Sequence, residues 1–135
     1  MTSRLEGKKA IVTGGSRGIG AAIARRLAAD GADVVITFAG NQDAANQTVG
    51  AITAAGRKGY AIQADSADPV AQRAAIKEAI EKLGGLDILV HNAGIADFAS
   101  IETDPADSFR RQFGVNVDGV FAGTAAAVPL IADGG

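Results

Sequence analysis

The sequence predicts an α/β fold in which one doubly wound parallel sheet carries helices on both faces. Short apolar runs alternate with longer segments of helical pattern, and the connections between them are short. This alternation is typical of a parallel sheet covered on both sides. A glycine-rich turn follows the first strand, and right-handed crossovers around it predict the strand order 3-2-1-4.

The stretch from Lys8 to Gly31 (KKAIVTGGSRGIGAAIARRLAADG) predicts a strand, a glycine turn and an amphipathic helix. Ile19, Ile23 and Leu27 recur at every fourth position, which predicts that they form the buried face of this helix. Further strands are expected at residues 34–38, 60–65 and 86–90, and further helices at residues 44–55, 69–83 and 105–131.

Two Asp-Pro pairs mark the starts of the last two predicted helices. Asp68 precedes Pro69, and Asp104 precedes Pro105. An aspartate N-cap followed by proline at the first helical position is a recognised start signal. Pro129 is expected to kink or fray the final turn of the last helix.

Composition limits the classes of function. The 135 residues are 47% hydrophobic, carry a net charge of −2 and include no cysteine. Such a small charge provides no field to attract nucleic acid or an anionic membrane, and the lack of cysteine excludes disulfides and thiol catalysis. We find no targeting signal and no apolar run of membrane-spanning length. We therefore expect a cytoplasmic protein that acts on a small molecule, with no nucleic acid, membrane or metal partner.

Three glycines in the turn after the first strand follow the spacing GxxxGxG. Gly14 permits a tight turn, Gly18 lets a pyrophosphate approach the backbone, and Gly20 lets the helix lie close to the strand. The free N–H groups and the dipole of the helix would then face the phosphates. The alternative is a plain strand-to-helix turn whose glycines only supply positive φ angles.

The segment from Thr13 to Gly20 (TGGSRGIG) resembles the TGxxxGIG cofactor motif of the short-chain dehydrogenase/reductase family. The residues Asn92-Ala93-Gly94 resemble the NAG motif of that family, and Asn116 stands where the family has its active-site asparagine. The resemblance is strongest to β-ketoacyl-carrier-protein reductases and their sugar- and ketone-reducing relatives. It implies a Rossmann-type fold and hydride transfer between a nicotinamide cofactor and a ketone, a β-ketoacyl group or a secondary alcohol.

The resemblance also implies roles for individual residues. Asn116 would be catalytic, as a member of a proton relay, and would mark a local break in its helix. Asp65 would contact the adenine amino group; the alternative is an Asx-type turn that opens the next helix, and both can hold. Family members usually have asparagine where this chain has His91, and a lone histidine without a partner acid is more often structural. The expected cofactor-binding residues are Gly14, Ser16, Arg17, Gly18, Ile19, Gly20, Thr37, Asp65, Ser66, Asn92, Ala93 and Gly94.

The end of the second strand bears on the choice of cofactor. An NAD enzyme usually places Asp or Glu there to hold the ribose 2′-hydroxyl, but this chain has Thr37-Phe38-Ala39. Arg17 lies within the glycine turn, where a guanidinium can face a 2′-phosphate. The sequence therefore favours NADP(H) over NAD(H). The alternative for Arg17 is a solvated loop charge.

The serine, tyrosine and lysine that the family uses in catalysis are not found at matching positions. The only tyrosine is Tyr60, and Ala64 stands where a YxxxK pattern needs lysine. By resemblance, residues 1–135 form a single NAD(P)-binding domain that is incomplete at its C-terminal end, before a fifth strand. We expect these residues alone to be inactive, and the alternative to an enzyme is a catalytically incomplete nucleotide-binding module. The intact family member is expected to be a homo-oligomer, either a dimer or a tetramer.

Overall fold

The computed structural model describes residues 3–98, 100–103 and 106–135, and its centre is a four-stranded parallel sheet. The strands are β1 (Lys9–Val12), β2 (Asp33–Phe38), β3 (Gly59–Gln63) and β4 (Ile88–Val90). Their order is β3-β2-β1-β4, so the predicted topology is confirmed. Ile11 in β1 pairs with Val35 in β2 and with Leu89 in β4.

Three helices connect the strands, and a composite helix follows β4. The connecting helices are α1 (Gly18–Ala29), α2 (Gln42–Ala54) and α3 (Pro69–Leu83). A short 3-10 turn covers Ile101–Thr103. The composite helix then comprises α4 (Ala106–Phe113), a π-helical turn (Gly114–Asp118), α5 (Gly119–Ala127) and a final 3-10 turn (Val128–Leu130).

The structure describes one of the two predicted Asp-Pro helix starts. The Asp68 carboxylate accepts the main-chain N–H of Val70 at 2.9 Å, and α3 begins at Pro69 as predicted. The other pair, Asp104 and Pro105, lies outside the described residues. Pro129 falls in the final 3-10 turn, which is where the sequence predicts a departure from regular α-helix.

Alternating strand side chains bury two cores, one on each face of the sheet. Ile11 and Val35 pack on the face covered by α3 and α5, and the opposite face packs under α1 and α2. The first core also holds Ile62, Ile76, Ala79, Leu86 and Ala126. The second core contains Ala10, Val12, Ala24, Val34, Ile36, Ala45 and Ile52.

The buried face of α1 differs from the predicted one. Ile19 is 75% exposed, while Ile23 and Leu27 are only half-buried at the margin of the second core. The fully buried positions are instead the small residues Gly20, Ala21, Ala24 and Ala28. Small residues bring the helix axis close to the sheet, and this close approach leaves the longer side chains at the edges of the contact.

The composite helix runs for 25 residues from Ala106 to Leu130, and its most apolar window has a mean hydropathy of 1.3. By length and composition it is thus long and apolar enough to cross a membrane. The sequence analysis did not predict this, because charged and polar residues interrupt the apolar positions of the helix. Core helices of globular proteins meet the same test, so this is weak evidence for a membrane segment. In this structure Ala126 and Ala127 of α5 pack into the core beneath α3.

Candidate cofactor site

The glycine turn lies between β1 and α1 at the carboxyl edge of the sheet. Gly14 and Gly18 adopt positive φ angles of 65° and 56°. A Cβ atom built on Gly18 would meet no heavy atom within 4 Å, so this part of the backbone is open to a ligand. A Cβ atom on Gly20 would collide with the carbonyl oxygen of Gly14 and the side-chain nitrogen of Asn92. Gly20 is therefore required for the close approach of α1 to the turn.

The N-terminus of α1 faces this turn without a side-chain cap. Arg17 is the N-cap residue, with extended backbone, and its side chain accepts no hydrogen bond from the helix. The first N–H groups of a helix have no intrahelical partner, and together with the helix dipole they form an anion site. The start of α1 thus has the geometry that a phosphate group needs.

A cavity of about 560 Å³ opens above the turn and extends across the ends of β2, β3 and β4. All twelve residues that the sequence suggests for cofactor binding line this cavity. Asn116 is not among the lining residues. The lining also includes residues that the sequence analysis did not assign to cofactor binding, namely Phe38, Ala39, Gly40, Asn41, Ala64, Ile95, Arg111 and Val115.

Thr13 joins the glycine turn to the segment after β4. This residue is only 1% exposed, and its Oγ1 atom accepts the main-chain N–H groups of Asn92 at 3.1 Å and Ala93 at 3.0 Å. In return, the Asn92 side-chain amide donates to the carbonyl oxygens of Thr13 and Gly14, both at 3.0 Å. Because buried hydrogen bonds are costly to break, the two motifs form one rigid unit.

Two further threonines hold the turn from the side of β2 and α2. The Thr37 hydroxyl accepts the N–H of Gly14 at 3.2 Å, so this lining residue also supports the turn. Thr48 in α2 is fully buried, and its hydroxyl lies 3.3 Å from the carbonyl oxygen of Ser16. The sequence analysis missed Thr48; the only available signal is a hydroxyl at a buried position of a helix.

Three charged side chains line the cavity, and they are Arg17, Asp65 and Arg111. Neither arginine forms an ion pair within the part of the chain that the structure describes. The Asp65 carboxylate accepts the N–H of Ala67 at 2.9 Å, which is the Asx-type turn considered for this residue. The wall at the end of β2 contributes no carboxylate, since residues 38–41 are Phe, Ala, Gly and Asn.

Asn116 lies in the π-helical turn that interrupts the composite helix, as expected for this residue. Its Oδ1 atom accepts the N–H of Ile95 at 3.0 Å, and its Nδ2 atom donates to the carbonyl of Ile95 at 2.9 Å. The irregular turn also fits its neighbours, because Gly114 packs on Ala67 and a Cβ on Gly119 would collide with the carbonyl of Ser66.

Comparison with known proteins identifies the family to which this cavity and fold belong. A family model described as short chain dehydrogenase matches residues 8–135. The chain belongs to the short-chain dehydrogenase family. An uncharacterized oxidoreductase of Methylorubrum extorquens is 49% identical over 133 residues, which are 98% of this chain and 54% of that protein.

Solved structures of similar proteins have the same fold. A Burkholderia cenocepacia short chain dehydrogenase in complex with NADP is 53% identical, has a TM-score of 0.93, and is matched over 96% of this chain and 53% of its own. A blue fluorescent protein from a metagenomic library, in complex with NADPH, is 47% identical with a TM-score of 0.93, over 97% and 54% of the two chains. The present chain thus spans about half the length of these relatives.

His91 of this short-chain dehydrogenase faces away from the cofactor cavity. Its Nε2 atom lies 2.9 Å from the Thr124 hydroxyl, which itself donates to the carbonyl of Val120 at 2.8 Å. Because a hydroxyl has one proton to donate, His91 Nε2 must be the donor in this pair. Burial lowers the pKa of His91, which favours the neutral ring. His91 lines a separate cavity of about 410 Å³ next to β4 and α5, and its contact with Thr124 joins these two elements.

Proposed function

We propose that the intact protein is an NADP(H)-dependent oxidoreductase that transfers hydride between the nicotinamide and a ketone, a β-ketoacyl group or a secondary alcohol. The observation that carries this proposal is the single cavity that gathers the glycine turn, the ends of β2 and β3, and the Asn92-Ala93-Gly94 segment. Membership of the short-chain dehydrogenase family supports the reaction class.

The lining residues fit a nicotinamide dinucleotide in a definite direction. The pyrophosphate would lie against Gly18 and the start of α1, where the backbone is open and the helix dipole favours an anion. The adenosine half would extend toward Thr37 and Asp65, and the nicotinamide half toward Asn92 and the residues after it. When bound, the cofactor supplies or accepts the hydride, while these residues orient it.

The preference for NADP(H) rests on the charges around the adenosine half. Arg17 lines the same cavity as the end of β2, and that strand ends without the carboxylate that would repel a 2′-phosphate. Arg111 adds a second guanidinium to the lining of the cavity. The solved relatives in complex with NADP or NADPH support the same choice.

A titration of NADPH and NADH into the intact protein, followed by cofactor fluorescence, tests this preference. We expect NADPH to bind more tightly, and Arg17→Ala to weaken NADPH binding by about tenfold to a hundredfold, as for the loss of a charge-assisted hydrogen bond. Arg25→Ala, on the exposed side of α1, is the control. Tighter binding of NADH, or equal effects of the two substitutions, would contradict the proposal.

Asn116 is proposed as the member of the proton relay that these residues contribute. Both ends of its side-chain amide are engaged by Ile95, so we infer that it acts by fixing the π-helical turn and the adjacent main chain. Tyr60 is not a candidate proton donor, because it lies in β3 outside the cavity lining, with the Lys82 ammonium 5.2 Å from its ring centre.

A second candidate function is a nucleotide-binding module without catalysis. The observation that favours it is the composition of the cavity, which includes no tyrosine and no lysine among the described lining residues. We expect residues 1–135 alone to bind NADPH without oxidising it in the presence of ketones, whereas the intact protein oxidises it. Failure of the intact protein to consume NADPH with any ketone would favour the module.

The intact protein is also proposed to be a homo-oligomer, either a dimer or a tetramer. Phe109, Phe113, Val117 and Phe121 recur at every fourth position of the composite helix and are all exposed. Phe109 and Phe113 stack with ring centres 4.5 Å apart. An exposed apolar stripe of this kind marks a protein contact surface. Light scattering of the intact protein tests this directly, and a monomer would contradict it.

A further inference from the structure

The segment from Ile95 to Asp97 is held by α4 and the π-helical turn through two side-chain amides. Asn116 exchanges two hydrogen bonds with the main chain of Ile95, as described above. Gln112, one turn earlier, does the same with Asp97: its Oε1 atom accepts the Asp97 N–H at 3.3 Å, and its Nε2 atom donates to the Asp97 carbonyl at 3.1 Å. Each carboxamide thus pairs with both the N–H and the C=O of a single residue, Ile95 or Asp97.

The two bonded positions are two residues apart, which is the repeat of extended backbone. In extended chain the N–H and C=O groups of residues i and i+2 point to the same side. Gln112 and Asn116 are four residues apart, so they present their amides along one face of the helix. The two carboxamides of the helix therefore satisfy the main-chain N–H and C=O groups of Ile95 and Asp97 from one side.

Ser108 completes the contacts of Gln112. Its hydroxyl accepts the second proton of the Gln112 amide at 3.2 Å and donates its own proton to the Asp97 carboxylate at 2.7 Å. Only one orientation of the Gln112 amide satisfies the Asp97 N–H and C=O together. Gln112 and Ser108 thus hold Asp97 by its N–H, its C=O and one carboxylate oxygen, which fixes the position of this residue.

The held segment borders the proposed nicotinamide end of the cavity. Gly94 and Ile95 line the cavity, and Phe98, which follows Asp97 directly, is 97% exposed. Asp97 lies two residues after Ile95, which forms part of the cavity wall, and directly before Phe98, so fixing its main chain constrains the path of the chain on both sides. We propose that Gln112 is a positioning residue that, through Asp97, fixes this wall of the site for the carbonyl substrate. The kinetic part of this inference rests on the proposed function.

Hydrogen exchange of the intact protein tests the positioning directly. We expect Gln112→Met to speed exchange in peptides covering residues 94–98 by about 5- to 30-fold, the factor for losing one or two net hydrogen bonds. Peptides covering the glycine turn should be unchanged. Gln47→Met on the exposed side of α2 is the matched control. Unchanged exchange at residues 94–98 would overturn the proposal.

Steady-state kinetics then separate positioning from general damage. For Gln112→Met, we expect kcat/KM for the carbonyl substrate to fall by about 5- to 30-fold, with the Kd for NADPH changed by less than about twofold. Ser108→Ala should shift exchange and kcat/KM in the same direction, and Ser108→Thr, which keeps the hydroxyl, should restore them. Equal losses in NADPH binding and kcat/KM would show a merely structural role.

The failure of the proposed function can be distinguished from the failure of this inference. If the wild-type protein transfers no hydride, the proposed function is wrong, while the exchange rates of residues 94–98 still decide whether Gln112 positions the segment. If the Gln112→Met protein does not fold, Ser108→Ala supplies the same comparison, and exchange identical to wild type in that variant would overturn the proposal.

Discussion

The side-chain nitrogen of Asn92 lies 3.0 Å from the carbonyl oxygen of Gly14. This bond links the segment after β4 to the glycine turn after β1, across adjacent parallel strands. Both atoms also stand where a Cβ on Gly20 would lie. The glycine turn, its hydrogen bond to Asn92 and the close approach of α1 therefore all require that residue 20 has no side chain.

Gly20→Ala should destabilise the protein because its methyl group would collide with the Gly14 carbonyl and the Asn92 amide. Overpacking of this kind costs about 1–3 kcal/mol. Chemical unfolding measures the change. The matched control is Gly50→Ala in α2, where a Cβ meets no heavy atom within 4 Å. Replacing a mid-helix glycine there should stabilise the protein by about 0.5–1 kcal/mol. Equal effects at the two positions would contradict the collision.

Asn92→Asp should weaken both folding and cofactor binding. The substitution keeps the shape of the side chain but replaces the donor that serves the carbonyls of Thr13 and Gly14 with an anionic acceptor. Leaving part-buried groups unpaired costs about 1–3 kcal/mol. Asn46→Asp is the control, because that exposed side chain accepts a hydrogen bond from Gln42, and a carboxylate preserves it. NADPH titration that fails to separate the two variants would count against the link.

Thr48→Val should loosen the glycine turn without changing the shape of the core. The substitution removes the hydroxyl that lies 3.3 Å from the Ser16 carbonyl and leaves that carbonyl without this partner. We expect a loss of about 0.5–1.5 kcal/mol in the free energy of unfolding, with a matching weakening of NADPH binding. Thr48→Ser retains the hydroxyl and should bind NADPH almost as wild type does. Unaltered NADPH affinity in Thr48→Val would show that the contact does not support the turn.

Helix starts, the strand order and the tight glycine contact were predictable from the sequence. The cap at Asp68 and the close approach at Gly20 follow from local patterns, and the strand order follows from the handedness of the crossovers; the structure has all three. Contacts that depend on how distant segments meet were not predictable. Arg111 lines the cavity, and Gln112 bonds Asp97, because α4 lies against the segment that follows β4.

The exposed Ile19 illustrates a conflict between pattern and packing. Its spacing with Ile23 and Leu27 indicates a buried face, but the alanines and Gly20 on the adjacent face allow a closer contact with the sheet. Ile19 is left at the cavity, where an apolar side chain can cover a ligand. A departure from the expected burial thus occurs at the candidate site, where sequence rules are most often broken.

His91 should make the stability of the protein depend on pH in a predictable direction. Burial lowers its pKa in the folded state below the usual value of about 6.5, so the unfolded chain binds a proton more readily. The contribution of the neutral ring is fully present above about pH 6.5 and is lost as the pH falls through the folded-state pKa. His91→Asn removes this titration and can keep a donor to Thr124. We therefore expect the free energy of unfolding of wild type, relative to His91→Asn, to decrease between about pH 7.5 and about pH 5.5. A constant or increasing difference over that range would contradict the lowered pKa.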